Sequence, residues 1–343
     1  MRFFVCALTV ALSAFCCDAV AQEEPMASVN IHFNTRFDFL YENPRYGESS
    51  SGFHGRYFNL MVWGDINRHL SYSFRQRFNK RIEASDIFSA TDWIHLTYKP
   101  TENWAISGGK QVVAIGGYEY DAAPIDIYYS SMFWQNIACY AFGVSGKYIS
   151  DSGDHSIMFQ FCNSPYQAMK SSCFAYNLMW TGRIGCWNTI WSANLMETSK
   201  GRYAGYIALG NRFDFGRFSL ELDLMQRSYQ GHQFWLDDYS VIAKADWRVC
   251  RYLNVFAKGG YERFHPGRMG VDMADEAIEE PFYGVGVEVF PIKNYPELRL
   301  HAMWNMNNQD GCRNADHNNL GTQQFIAGAT WRCNIFSYKW NKK

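Results

Sequence analysis

Alternation of apolar and polar side chains with a period of two runs through most of this chain, and no other feature limits its possible folds so strongly. In the first run Val29, Ile31, Phe33, Thr35, Phe37, Phe39 and Tyr41 alternate with Asn30, His32, Asn34, Arg36 and Asp38. Successive side chains of a strand leave on opposite faces, so such a segment separates two different media. A second run places Phe58, Leu60, Val62 and Ile66 on one side. A third sets Leu70, Tyr72, Phe74 and Phe78 opposite Ser71, Ser73, Arg75, Arg77 and Asn79, and a fourth is led by Ile94, Leu96 and Tyr98. Further runs begin at Trp104, Tyr140, Ile157, Phe174, Trp187, Tyr203, Phe218, Tyr239, Leu253, Tyr283, Leu298 and Phe325. The pattern predicts about sixteen strands.

Both faces of these strands must be satisfied. Opposite the apolar stripe stand Asn, Arg, Asp, Glu, Lys and Ser, which do not suit the dry interior of a sandwich. Lipid outside and water inside does suit them. In hydrocarbon an unpaired strand edge leaves backbone groups without partners, at a cost of several kcal/mol each, so the sheet has to close. The predicted fold class is therefore an all-β, transmembrane, antiparallel β-barrel of about sixteen strands, with short periplasmic turns and long external loops. The connections alternate as this requires. Short ones are read at 67–69, 100–103, 150–154, 181–186, 214–217, 249–251 and 291–297. Long ones are read at 42–55, 79–89, 111–137, 163–172, 197–202, 226–238, 262–281 and 307–321.

Composition agrees with export to a membrane. Arg2, the apolar run Phe3 to Phe15 and the small-x-small site Ala19-Val20-Ala21 have the layout of a secretory signal, so residues 1–21 are expected to be a leader and 22–343 the barrel. Cys16 and Cys17 suggest a lipid anchor, but Phe15 is too bulky for the position that precedes the cysteine of a lipoprotein signal. Past the leader no apolar run reaches the roughly 18 residues that a spanning helix needs. Aromatic residues make up 17% of the chain, with 12 Trp and 22 Tyr, enough to furnish interfacial girdles. With Arg2 and Asp18 removed, 31 basic residues face 32 acidic ones, which argues against nucleic acid as a partner. Seven cysteines remain without CxxC pairs and read as small apolar fillers, not a disulfide frame or zinc site.

Gly108-Gly109-Lys110-Gln111, followed by GGYEYDAAPIDIYY from Gly116 to Tyr129, resembles the phosphate-selective porin O and P family, in particular its Bacteroidetes-type members. The terminal GATWRCNIF, Gly328 to Phe336, is similar as well, although the family tends to carry an aromatic residue where Cys333 stands. The resemblance implies a sixteen-stranded barrel, usually a homotrimer, whose third external loop folds inward as a constriction. Here that loop is the segment 111–137.

If the apolar stripes face lipid, parity alone assigns the lumen. Arg36 on the first strand and Arg75, Arg77 and Arg81 on the third point inward, a guanidinium ladder suited to phosphate or carboxylate. The competing expectation is that they are solvated and paired with acids. Glu221, Asp223, Arg227, Lys244, Asp246 and Lys258, with Glu288 and Arg299 beyond, give the far wall a mixed lining. In the constriction loop Tyr118, Glu119, Tyr120, Asp121 and Asp126 are expected to pin the segment to basic groups of the wall. Lys110 has lipid-facing parity, but a bulge after the paired glycines would turn it inward.

Nine His residues show no HxxxH or HExxH spacing, the Asn307 to Asn319 stretch fails an EF-hand register, and no GxSxG appears. No metal, cofactor or covalent chemistry is expected. The reading is a passive, water-filled channel in the bacterial outer membrane, with lipid around it and small hydrophilic or anionic solutes within it. Its rivals are a barrel-embedded hydrolase and a barrel plugged by its own loops that serves as an anchor or receptor.

Overall fold

The computed structural model describes residues 27–82, 86–167, 172–232, 235–265, 278–313 and 319–340. The expected leader at 1–21 lies outside them, as do parts of the loops read at 262–281 and 307–321. The first eight strands are β1 (Ser28–Pro44), β2 (Ser50–Asp65), β3 (Leu70–Arg77), β4 (Thr91–Tyr98), β5 (Trp104–Val112), β6 (Tyr140–Ile149), β7 (His155–Asn163) and β8 (Phe174–Ile184). They are followed by β9 (Trp187–Ser199), β10 (Arg202–Phe215), β11 (Phe218–Tyr229), β12 (Asp238–Cys250), β13 (Leu253–Phe264), β14 (Ile278–Val289), β15 (Leu298–Arg313) and β16 (Asn319–Lys339). Two short helices, α1 (Tyr118–Asp121) and α2 (Met132–Asn136), lie between β5 and β6.

Every strand pairs antiparallel with its sequence neighbours, and β1 closes on β16, so the sheet has no edge. Closure runs from Ser28 opposite Lys339 to Pro44 opposite Thr322, with one bulge after Ile31. The expected barrel of sixteen strands is what the chain forms. Its burial is inverted relative to a soluble protein. Phe53 is 88% exposed and Phe37 61%, while Arg36, Asp38 and Asn177 are almost completely covered. Rings cluster at the rims: Trp104 with Tyr148 and Trp180 with Trp191 at the short-turn end, Phe39 with Phe53 and Tyr283 with Trp304 at the other.

Two of the expected long loops prove short. β1 and β2 extend until only 45–49 remains between them, and 197–202 contracts to a hairpin around 200–201 with Gly201 at φ 77°. Strands that project beyond the apolar band lose their alternation there, so periodicity alone placed their ends too early. Conversely, the long connection from β5 to β6 spans 113–139 and carries both helices.

Candidate functional site

The segment 113–139 enters the barrel, and the wall is built to receive it. Gln160 on β7, Asn177 on β8 and Asn194 on β9 occupy directly opposed inward positions. Their amides form a ladder: Asn177 Nδ2 donates to Gln160 Oε1 at 3.0 Å and Asn194 Nδ2 to Asn177 Oδ1 at 2.9 Å. The free ends of the ladder grip the incoming backbone. Ala114 N–H donates to Gln160 Oε1 at 2.8 Å, and Asn194 Nδ2 donates to the Ala114 carbonyl at 2.7 Å. Two residues later Gly116 N–H donates to Ser192 Oγ at 2.8 Å.

The doublet Gly116-Gly117 follows because the chain lies against the wall itself. A Cβ on Gly116 would fall 2.5 Å from the Ile190 carbonyl oxygen, and one on Gly117, at φ 101°, would fall 2.1 Å from Met225 Cε. α1 then starts on Asp223, whose two carboxylate oxygens accept the N–H groups of Tyr118 and Glu119 at 2.8 Å each. α2 starts on Glu262 in the same manner, accepting from Met132 N–H at 2.6 Å and Phe133 N–H at 3.1 Å. Helix starts leave N–H groups without internal partners, and wall carboxylates satisfy them.

Between the helices the segment reaches across to strands at the barrel's seam. Arg36 Nη1 donates to the carbonyls of Ile125 and Ile127 at 3.2 and 2.8 Å. Asp126 receives Arg299 Nη2 at 2.7 Å and is also bonded by Arg332. Tyr128 donates its hydroxyl to Glu288 at 2.7 Å, and Lys258 donates to the Tyr129 carbonyl at 2.9 Å and to Glu119. Burial alone would raise the Asp126 carboxyl, but the two guanidinium groups overcome it and hold the group below its ordinary value.

Two apolar footholds complete the docking. Ile115, Tyr120, Phe133 and Ile137 pack on inward-facing Ala141, Cys162, Ala175, Met196, Ala204 and Met225 of β6–β11. Tyr128 and Tyr129 pack on Leu40, Ile242, Phe256, Phe282, Met303 and Ile326. Part of the inner wall is therefore dry, and its small inward residues were the available signal that something would lie on it.

These contacts revise several residue assignments. Arg36 and Arg75 are buried, not an open ladder: Arg36 Nη2 meets Asp38 at 2.7 Å, and Arg75 and Arg77 share Asp92 at 2.6 and 2.8 Å. Arg81 stands exposed beyond the end of β3, because that strand stops at Arg77. Arg227 does not line open lumen; it is 1% exposed, paired with Asp238 and lying over the Phe133 ring. Asp223 and Lys258 are covered by the docked segment. Tyr120 bonds no basic wall group; it sits in the apolar foothold. Lys110 belongs to β5, opposite Ile94 and Phe142 on the lipid side, and its ammonium donates to the Phe88 carbonyl at 2.8 Å. Gly109, at φ 132°, approaches the neighbouring strand closely without turning Lys110 inward.

Cavities remain on either side of the segment. One of about 360 Å³, toward the short-turn end, is bordered by Asp121, Asp126, Arg212, Glu221, Lys244 and Asp246, among others. Another of about 360 Å³ opens toward the long-loop end beside Arg36, Arg56, Tyr57, Trp134, Asn305 and Gln324. Among the described residues no group of His, Cys, Asp and Glu is arranged to hold a metal ion.

The model of the phosphate-selective porin O and P family matches residues 29–183, which is β1 to the end of β8. No curated protein sequence matches the chain. The solved anion-selective porin from Comamonas acidovorans superposes with a TM-score of 0.65 at 12% identity, covering 90% of this chain and 100% of that one. The outer membrane channel DcaP of Acinetobacter baumannii gives 0.63 at 12% identity, covering 91% and 99%. OmpT of Vibrio cholerae in its trimer form gives 0.60 at 11% identity, covering 90% and 100%. Identities this low speak for the fold alone, while the family model speaks for the sequence. The chain forms a sixteen-stranded barrel of the outer-membrane porin type, and its first eight strands match the model of the phosphate-selective porin O and P family.

Proposed function

We propose that the protein passes small hydrophilic solutes by diffusion through a lumen narrowed by the segment 113–139, and that it performs no covalent chemistry and needs no cofactor. The observation that carries this reading is the cavity lined by charged side chains on each side of a segment anchored to both walls. On the side of β1–β3 Arg36 and Arg75 are buried against Asp38 and Asp92, while Arg56 and Arg77 keep partly exposed guanidinium groups, with Glu42 and Glu280 bordering the same cavity as Arg56. The exposed guanidinium groups favour anions such as phosphate locally. The inner cavity, with Glu221, Lys244 and Asp246, is mixed and dilutes the preference. Export through a leader at 1–21 and assembly as a homotrimer in the outer-membrane lipid complete the proposal; the exposed Phe37 and Phe53 on β1 and β2 form an apolar strip suited to a second copy.

Planar-bilayer recording of purified protein tests the proposal. Open-channel current with an anion-leaning reversal potential is expected. The density of buried contacts under the segment favours one other reading, a plugged barrel, and that reading predicts a folded protein that carries no current.

A further inference from the structure

The inner cavity has an arrangement of charge that general permeation does not require. Across β10–β13 the registers put Arg212 opposite Glu221, Glu221 opposite Lys244, and Lys244 opposite Lys258. Neighbouring strands are about 4.8 Å apart, so these groups form one transverse row along the wall. Lys258 is engaged by Glu119 beneath the docked segment. Arg212 and Lys244 are the open members, with side chains 39% and 35% exposed. Each has carboxylate neighbours, Arg212 at Asp214 and Glu221 and Lys244 at Asp246, yet both keep N–H groups beyond those that these contacts use.

On the segment that closes the cavity, Asp121 faces this row. It is the last residue of α1, is exposed, and its carboxylate makes no hydrogen bond or ion pair among the described residues. The other carboxylates of the segment are consumed, Glu119 by Lys258 and Ser131 and Asp126 by Arg299 and Arg332. Loss of solvent around it raises the Asp121 carboxyl, and the charge of Lys147 opposes the shift. A cationic group placed beside it would supply the missing counter-charge. Tyr118, Tyr128 and Phe256 border the same space, and its volume of about 360 Å³ falls within the range of small-molecule sites, about 300–1,000 Å³.

We propose that this cavity is a subsite for zwitterionic solutes of the amino-acid and short-peptide class, taking the carboxylate on Arg212 and Lys244 and the ammonium on Asp121. The inference rests on the porin reading and deepens it. The acids Glu221, Asp246 and Glu288 are interleaved with the bases Arg212, Lys244 and Arg299 that pair with them, so a solute of one charge meets a like charge beside every opposite one. A solute carrying both charges offsets both walls, and its dipole aligns with the transverse field.

The test is single-channel recording in potassium chloride with alanyl-alanine added, compared with its N-acetyl form and its amide. The dipeptide is expected to interrupt the current at concentrations about tenfold lower than either singly charged derivative, the loss expected when one charge-assisted contact is removed. Asp121→Asn is expected to bring the dipeptide's blocking concentration to that of the N-acetyl form, which lacks the ammonium. Arg212→Gln combined with Lys244→Met is expected to bring it to that of the amide. Equal block by all three compounds in the wild-type channel overturns the subsite while leaving the porin intact, as does dipeptide block unaffected by Asp121→Asn. Absence of any current overturns the porin reading itself.

Discussion

Asp223→Ala removes the carboxylate that receives both N–H groups at the start of α1. The two bonds are 2.8 Å long and the acceptor is 4% exposed, so water does not readily replace it. Hydrogen bonds to charged groups contribute about 1.5–3 kcal/mol each, which puts the pair at about 3–6 kcal/mol. At about 1.4 kcal/mol per factor of ten, the equilibrium for lifting the first turn off the wall shifts by roughly 100- to 10,000-fold. Asp223→Asn keeps one acceptor oxygen and is expected to cost about half as much. The other anchors, Arg36 to Ile127 and Asp126 to Arg299, are untouched, so the segment loosens at one end instead of leaving the lumen. The inter-strand ladder of β11 does not involve this side chain, and heat-modifiable migration on a gel should still report a closed barrel. Single-channel currents are expected to become larger and noisier, and liposome swelling should admit bigger sugars. Gly117→Val, which wedges a side chain against Met225, should act in the same direction. A folded Asp223→Ala protein with the conductance, noise and size limit of the parent would refute the idea that this segment bounds the lumen.

Three further outcomes are expected. Replacing Arg75 and Arg77 together by Ala leaves Asp92 without its two guanidinium partners, and the reversal potential in a salt gradient should move toward cations; no movement would remove this wall from the account of selectivity. Asp126 is held below its ordinary value of 3.8, so its tie to Arg299 and Arg332 is fully present above that value and is lost as pH falls below it; the conductance difference between the parent and Asp126→Asn should persist down to about pH 3.8 and vanish below it. Lys110→Met removes a charge from the lipid-facing side near the rim, where such a charge costs roughly 0–1 kcal/mol, so unfolding should shift within that amount and ion selectivity should stay as it was.

Strand number and facing were legible because they depend on parity, which is local: one residue of slip turns every side chain to the wrong medium, so the alternation at Val29 to Tyr41 admits a single interpretation. What the lumen residues do was not local. Arg36 looked like an open cation because its partner Asp38 shares its face and its other acceptors, the carbonyls of Ile125 and Ile127, lie some ninety positions away. Arg75 is neutralised by Asp92 on the adjoining strand, a pairing that only the register of β3 with β4 brings about. The amides Gln160, Asn177 and Asn194 read as water-facing polar residues, and nothing in their spacing distinguishes a hydrated wall from a ladder built to hold a backbone. Small inward residues such as Ala175 and Ala204 were the readable trace of the docking, since a lumen that only holds water has no need of them.

The docked segment is also early in the chain relative to most of what holds it. Residues 113–139 precede Asp223, Lys258, Glu262, Glu288, Arg299 and Arg332, and Arg332 becomes a neighbour of β1 only when β16 closes the ring. Contacts so distant in sequence form late, after the loops between them have been closed. The near end of the strap has partners on β7–β9, but apart from Arg36 on β1 its far end has none until β11 to β16 are in place, so the waist is complete only when the ring that surrounds it is complete.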